Sequence, residues 1–301
     1  MKENGIPADN VGFDPSHPSN SVSVIIAVYN CTKFITQTLN TILGQTVRPA
    51  EVIVVNDGST DNTASVVREF GASVTLINTQ NRGACAARNT GADAATGNWL
   101  AICDGDDLWL PTKLEKQLRL ANEVPDINCV ITDYAEITDG DVSNRSHFSY
   151  APMDFWDAEQ HKNGFVVRKS IAGKLTTFQP GLTSSPIVKR DFYQRVGGFD
   201  SEGSISSQDT CFHFRCLNVV PFGVVPEVLM HYRRHPDSIS ADPLRQLNST
   251  VVSWKYILAN YPEAQPYRTD LLEGLKAMRK EIAEIARYRR RQKLKRVLRM
   301  N

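Results

Sequence analysis

The sequence predicts an α/β fold: a mostly parallel sheet flanked by helices, with a C-terminal helical extension. Two observations carry that prediction. From residue 21, β-branched apolar runs alternate with helix-periodic stretches across short connections, the pattern of βαβ units with right-handed crossovers. The run at residues 99–103, Trp-Leu-Ala-Ile-Cys, is short and almost wholly apolar, as in a strand buried on both faces.

The elements follow in order. Residues 21–28 are β-branched and read as a first strand. Residues 32–43 place Phe34, Ile35, Thr38, Leu39 and Ile42 at helical spacing. Residues 51–55 are a second strand, followed by a turn and cap cluster at 56–61. A helix carrying Val66, Val67 and Phe70 is closed by Gly71. Residues 73–77 make a third strand, 83–95 an Ala-rich helix closed by Gly97, and 99–103 the fourth strand. Pro111 suits a first helical position and starts a helix over 112–120. Beyond it, 127–134 reads as a strand. Residues 138–162 are polar and aromatic without a period and are expected as loops or a lid. A strand at 183–188, helices at 190–196 and 207–217, a strand at 228–233 and a long helix from Pro266 complete the chain.

Composition excludes little by itself. The 301 residues are 41% hydrophobic and 22% charged, and 34 Lys and Arg nearly balance 33 Asp and Glu. No apolar stretch reaches the length of about 18 residues that a transmembrane helix needs. Residues 1–20 lack the apolar core of a secretory signal and read as a flexible lead-in. The six cysteines form no Cys-x-x-Cys pair and are expected reduced and buried, which points to a cytoplasmic protein and away from a zinc site.

The fourth strand ends in Asp104-Gly105-Asp106-Asp107, three carboxylates in four positions. Ligand sites of parallel sheets lie just beyond the carboxyl ends of strands. Like charges so close raise one another's pKa. A divalent cation relieves that repulsion, and hard oxygen ligands suit Mg²⁺ or Mn²⁺. A metal held by two carboxylates keeps positions open for a substrate diphosphate.

Further pieces fall in a fixed order. Residues 24–30 read Val-Ile-Ile-Ala-Val-Tyr-Asn, and 54–61 read Val-Val-Asn-Asp-Gly-Ser-Thr-Asp. Asn81-Arg82-Gly83 leads to Ala87-Arg88-Asn89-Thr90-Gly91. Gly197-Gly198-Phe199-Asp200, Gln208-Asp209 and Tyr232-Arg233-Arg234-His235 come later. Over about residues 21–240 this order resembles the family 2 glycosyltransferases. The resemblance implies the GT-A (Rossmann-like) fold and a non-processive, inverting sugar transfer from a nucleotide-diphosphate donor. Residues 21–125 would be the nucleotide-sugar-binding half, 126–240 the acceptor-binding and catalytic half of the same domain, and 241–301 a basic helical extension.

Carried over by position, Asp57 would accept a hydrogen bond from uracil N3–H; the alternative is that it only shapes a turn with Gly58. Ala27 and Tyr29 would line the base or ribose. Arg88 would stand near the nucleotide or the acidic cluster, unless it lies on a solvated helix face. Asp104 and Asp106 match the Asp-x-Asp motif around Gly105, contacting ribose and metal, while Asp107 is expected to cap the next helix. Asp209 is the candidate base that deprotonates the acceptor hydroxyl, with Gln208 where the family usually carries Glu. The alternative for Asp209 is a first-turn acid favoured by the helix dipole. Arg233 and His235 resemble the family's segment near the phosphates or metal.

The segment from Arg279 to Arg299 is dense in Lys and Arg, with Ile282, Ile285, Leu294, Val297 and Leu298 interspersed. It reads either as a basic helix on an anionic membrane surface or as a helix packed on the domain or a second subunit. Nucleic-acid binding is disfavoured because the charge sits at one end. The leading function is a UDP-favouring glycosyltransferase using Mn²⁺ or Mg²⁺ on a glycan or lipid-linked acceptor, cytoplasmic or at the inner face of the membrane. The alternatives are a catalytically degenerate GT-A domain and a sugar nucleotidyltransferase. The latter's Gly-rich loop after the first strand is missing at Tyr29-Asn30-Cys31-Thr32.

Overall fold

A computed structural model describes residues 13–200, 208–236, 238 and 241–299. The first half alternates as the sequence predicts: β1 (Val22–Val28), α1 (Ile35–Leu43), β2 (Glu51–Asn56), α2 (Thr63–Arg68), β3 (Thr75–Asn78), α3 (Ala84–Ala94) and β4 (Trp99–Asp104). A short β5 (Leu108–Trp109) precedes α4 (Lys113–Glu123). The second half holds β6 (Cys129–Thr138), β7 (Asp141–Ser146), β8 (Ala158–His161), β9 (Gly164–Val167), β10 (Ile187–Lys189), α5 (Arg190–Arg195), α6 (Gln208–Asn218), β11 (Phe222–Arg234), α7 (Pro243–Asn260) and α8 (Arg268–Arg299).

One sheet runs through both halves in the order β3-β2-β1-β4-β10-β6-β11-β9-β8. Strands β3, β2, β1 and β4 are mutually parallel, and β10 runs antiparallel between β4 and β6. Alternation along β1 divides the core. Val22, Val24, Ile26 and Val28 enter one buried cluster, and Ile25 enters the other on the opposite face. Helix α3 lies directly on that second face. A Cβ at Gly91 would sit 2.4 Å from Ile25 Cγ2, so only glycine allows this approach.

Several expectations are corrected. Residues 138–162 are not simply loop: β7 pairs antiparallel with β6 across a turn in which Asp139 and Gly140 have φ 50° and 95°. Asp-Gly is a strong hairpin signal, but the exposed, polar edge strand β7 lacks the apolar alternation that marks a half-buried one. Strand β10 begins only at Ile187, and β11 begins earlier than residue 228. Helix α4 starts at Lys113 behind the cap residue Thr112, so Pro111 lies before it. Helix α3 ends at Ala94, and Gly97 packs against Ser23 instead of closing it. Helix α7 is an element the sequence reading omitted. None of the six cysteines is bonded; five are buried, but Cys31 is only partly so.

Candidate active site

The carboxyl ends of β1, β2 and β4 meet in one crevice, closed on the other side by the end of β11. Parallel pairing sets Ala27 of β1 beside Asp104 of β4. Tyr29, just past β1, is 52% exposed at the rim. Next to it Asn30 takes φ 52°, and its side-chain oxygen accepts the Thr60 N–H at 2.8 Å, tying the turn after β1 to the turn after β2. Gly105 lets its backbone approach closely, since a Cβ there would lie 2.7 Å from Val28 Cγ1 and 2.9 Å from Cys31 Sγ. The Gly105 carbonyl accepts from Thr38 Oγ1 at 2.9 Å, which anchors the acidic turn to α1.

Asp57 is buried at the end of β2. Its carboxylate accepts the main-chain N–H of Arg82 at 2.9 Å and of Gly83 at 2.8 Å, with Thr79 Oγ1 at 3.3 Å. It therefore holds the loop entering α3, where a carboxylate also favours the helix N-terminus. Its two oxygens have more than two lone-pair sites, so capping leaves acceptor capacity for a ligand.

The three carboxylates after β4 have three different fates. Arg88, on α3 and nearly buried, donates from Nη2 to Asp104 Oδ1 at 2.6 Å. Burial alone would lower the guanidinium's pKa, but Asp104, Cys85 and Asp209 together outweigh it and hold Arg88 above its ordinary value. Asp106 Oδ2 meets His235 Nε2 at 3.0 Å. Burial and then the neighbouring Asp104 push the Asp106 carboxyl upward, while the His235 contact opposes them. Asp107 does not cap α4. It is fully enclosed, accepting from Ser184 Oγ at 2.5 Å and from the Arg233 N–H at 3.1 Å, and burial raises its pKa well above the usual range. The cap expectation fails because the Asp107 carboxylate is taken up by Ser184 and by the Arg233 main chain of β11.

Arg233 is fixed from three sides. Besides its N–H to Asp107, its Nε donates to the Asp106 carbonyl at 2.7 Å and its Nη2 to Gln37 Oε1 at 2.8 Å. The guanidinium lies 5.1 Å from the Phe34 ring centre, and the His235 ring packs on the same Phe34 at 4.5 Å. His235 Nδ1 is buried without a hydrogen-bond partner.

Asp209 stands in the first turn of α6, where its Oδ1 accepts the Thr210 N–H at 2.9 Å. Its charge raises the pKa of Arg88, Cys85 and His213, a minor influence on each of the first two beside burial. The side chain of Gln208 lies outside the described residues. The loop leading toward α6 is clamped by α3: Asn89 Nδ2 donates to the Phe199 carbonyl at 2.7 Å, and Asn89 Oδ1 accepts the Phe199 N–H at 2.9 Å.

The sequence reading missed Gln37, Asn89, Ser184 and His213. His213 is 5% exposed, with neither ring nitrogen hydrogen-bonded, and burial lowers its pKa. Its one available signal was position: four residues past Asp209, it shares a helix face with the candidate base.

Among the described residues no three His, Cys, Asp or Glu side chains gather into a ready metal cage. The donor set still fits a divalent cation completed by a ligand. A carboxylate oxygen and an imidazole nitrogen converge at Asp106 and His235, a mixed set that suits Mn²⁺. Two protein donors leave the remaining positions for phosphate oxygens.

The chain is similar to known proteins in both sequence and fold. The sequence signature of glycosyl transferase family 2 matches residues 23–182. EpsH of Bacillus subtilis, named as a glycosyltransferase, is 36% identical over 226 residues, 73% of this chain and 62% of EpsH. A stretch of 100 residues is 37% identical to WfaP of Escherichia coli, named as a UDP-Glc:α-D-GlcNAc-diphosphoundecaprenol β-1,3-glucosyltransferase; it spans 33% of this chain and 40% of WfaP. S. aureus TarS 1-349, solved with UDP-GlcNAc, shares the fold with TM-score 0.61 at 20% identity, covering 85% of this chain and 71% of that one. The mannosyltransferase PcManGT of Pyrobaculum calidifontis, solved with GDP-Man and Mn²⁺, does so with TM-score 0.57 at 22% identity over 91% and 78%. The mostly parallel α/β sheet flanked by helices is the GT-A architecture of these solved structures. The chain belongs to glycosyl transferase family 2 and is a glycosyltransferase.

Proposed function

We propose that this enzyme moves a sugar from a nucleotide-diphosphate donor, with uridine favoured, to a hydroxyl of a glycan or lipid-linked acceptor, with inversion at the anomeric carbon. The observation that carries the reading is the convergence of Asp106 and His235 at 3.0 Å beside the triply held Arg233. Those two side chains would hold Mn²⁺ or Mg²⁺, which when bound neutralises charge on the leaving diphosphate. Arg233, fixed in advance, adds a cation that needs no rearrangement as that charge develops. Arg88 orients Asp104 through one carboxylate oxygen, so the other oxygen can accept from a ribose hydroxyl. Ala27 and Tyr29 would border the nucleoside, with Gly105 admitting its close approach and Asp57 offering its spare acceptor capacity to uracil N3–H. Asp209 would take the acceptor's proton as that oxygen attacks and the bond from the anomeric carbon to the diphosphate breaks.

A lipid-linked acceptor is supported by the resemblance to WfaP, whose name specifies one. Among the described residues no helix is long and apolar enough to cross a membrane. The retained Arg88–Asp104 pair and the open Asp106–His235 pair favour catalysis over a degenerate, binding-only domain. Calorimetric titration of UDP, dTDP and GDP, with and without Mn²⁺, tests the donor site on wild type and on Asp106→Ala. The expected result is metal-dependent binding of UDP that Asp106→Ala abolishes. Absence of nucleotide binding under every metal condition would overturn the donor-site assignment.

A further inference from the structure

We propose that the chain docks on anionic phospholipid bilayers through residues 287–299 of α8, and that docking turns the mouth of the active site toward the lipid surface. From residue 287 to the end the chain carries eight Lys or Arg and no Asp or Glu, the last acid being Glu284. The start of α8 is anchored: Leu271 and Leu275 are buried, and Gly274 seats against Thr176. Met278 and Ile282 still lie against the core, whereas residues 287–292 are exposed while the backbone stays helical to Arg299. Beyond Arg289, which still reaches Asp242, the helical backbone runs on for ten residues, about 15 Å. The exposure of residues 287–292 argues against packing of that stretch on its own domain.

Like charges along an unsupported helix repel one another, and an anionic surface relieves that repulsion. Tyr288, 63% exposed, and Leu294, Val297 and Leu298 in the sequence supply apolar groups for the headgroup boundary. Outside these eight cations the chain holds 26 Lys and Arg against 33 Asp and Glu. A net acidic body tolerates contact at one end with a flat anionic surface, but is repelled by a polyanion that must run along it. Orientation follows from an ion pair. Helix α8 returns along α7, and Arg289 meets Asp242, the cap of α7, at 3.0 Å. Asp242 lies seven residues beyond His235, so the basic rod leaves the body beside the loop that follows Arg233 and His235. The purpose of docking rests on the lipid-linked acceptor reading above, whereas docking itself does not.

The test is co-sedimentation of the full chain with phosphatidylglycerol-containing vesicles and with pure phosphatidylcholine vesicles, at low and high salt. Expected is binding to the anionic vesicles at low salt, weakened about tenfold or more by neutral lipid or by high salt. Arg290→Glu, Arg291→Glu, Lys293→Glu and Lys295→Glu combined should weaken it by about tenfold or more with the thermal midpoint unchanged. A chain stopped after Ala286 should behave likewise if the charge-reversed chain folds poorly. Equal binding by these variants, no wild-type binding at low salt, tighter binding to duplex DNA than to vesicles, or a wild-type dimer that the substitutions dissolve would each overturn the proposal. Nucleotide titration shares no readout with this experiment, so failure of either is separately visible.

Discussion

Lys113 is wholly buried in the first turn of α4, on the face of the sheet opposite α3. Its Nζ lies 4.0 Å from the Trp109 ring centre and donates to Gln117 Oε1 at 2.9 Å. Among the described residues no carboxylate pairs with it, and burial pushes its pKa down from 10.5 to about 7. The sign of the consequence is fixed by proton counting. Between about pH 7 and 10.5 the unfolded chain keeps a proton here that the folded chain lacks, so stability rises with pH across that window. Below about pH 7 both states are charged and the full cost is present. At 1.36 kcal/mol per unit, the displacement amounts to roughly 5 kcal/mol as an upper bound. Lys113→Met keeps volume and helix propensity but leaves Gln117 Oε1 without its donor, which costs about 1–3 kcal/mol. The variant should therefore be about 2–4 kcal/mol more stable than wild type at pH 7, an advantage that vanishes or reverses by about pH 10. Urea unfolding of both proteins at several pH values reads this difference, and titrations common to both cancel. A stability difference that stays constant from pH 7 to 10 would refute the reasoning, because Lys113 would then not titrate in that window.

Asp107→Ala removes the acceptor that fixes both Ser184 and the Arg233 main chain, so it should cost about 2–4 kcal/mol in urea unfolding and weaken metal-dependent UDP binding; Asp107→Asn, which keeps an acceptor oxygen, should cost less. Gly91→Ala forces a methyl onto Ile25 Cγ2 and should destabilise by about 1–3 kcal/mol. Combining it with Ile25→Leu, which lacks that branch, should recover part of the loss; purely additive losses in the double-mutant cycle would show that the clash is not the cause.

The parallel half of the sheet was legible because its strands are apolar and its helices strictly periodic. The second half was less so, for local reasons. Strand β7 is an exposed edge whose partner, β6, supplies the pairing that its own side chains do not announce. Helix α7, by contrast, carried readable signs: Asp242 and Pro243 at its start, then Val251, Trp254, Ile257 and Leu258 at helical spacing. Of the candidate site residues, those on β1, β4 and β11 come together at one end of the sheet. What escaped were their supports: Ser184 beside Asp107, Gln37 on Arg233, and Asn89 clamping Phe199.

The acidic turn shows why such supports cannot be read from spacing. Asp104, Asp106 and Asp107 are chemically identical and nearly adjacent, yet the fold assigns each a different electrostatic partner. Those partners arrive from Arg88 on α3, from His235 beyond β11, and from Ser184 and Arg233 together, separated from the turn by up to 129 residues. Sequence proximity dictates only the repulsion among the three carboxylates. Tertiary structure removes it unequally: Asp104 is paired with an enclosed cation, and Asp107 is shut away behind a hydroxyl and a main-chain N–H. Asp106 is left as the carboxylate whose partner is an imidazole. That arrangement concentrates the unrelieved demand for positive charge at one point of the crevice, which is where a cation and a leaving diphosphate would be held together.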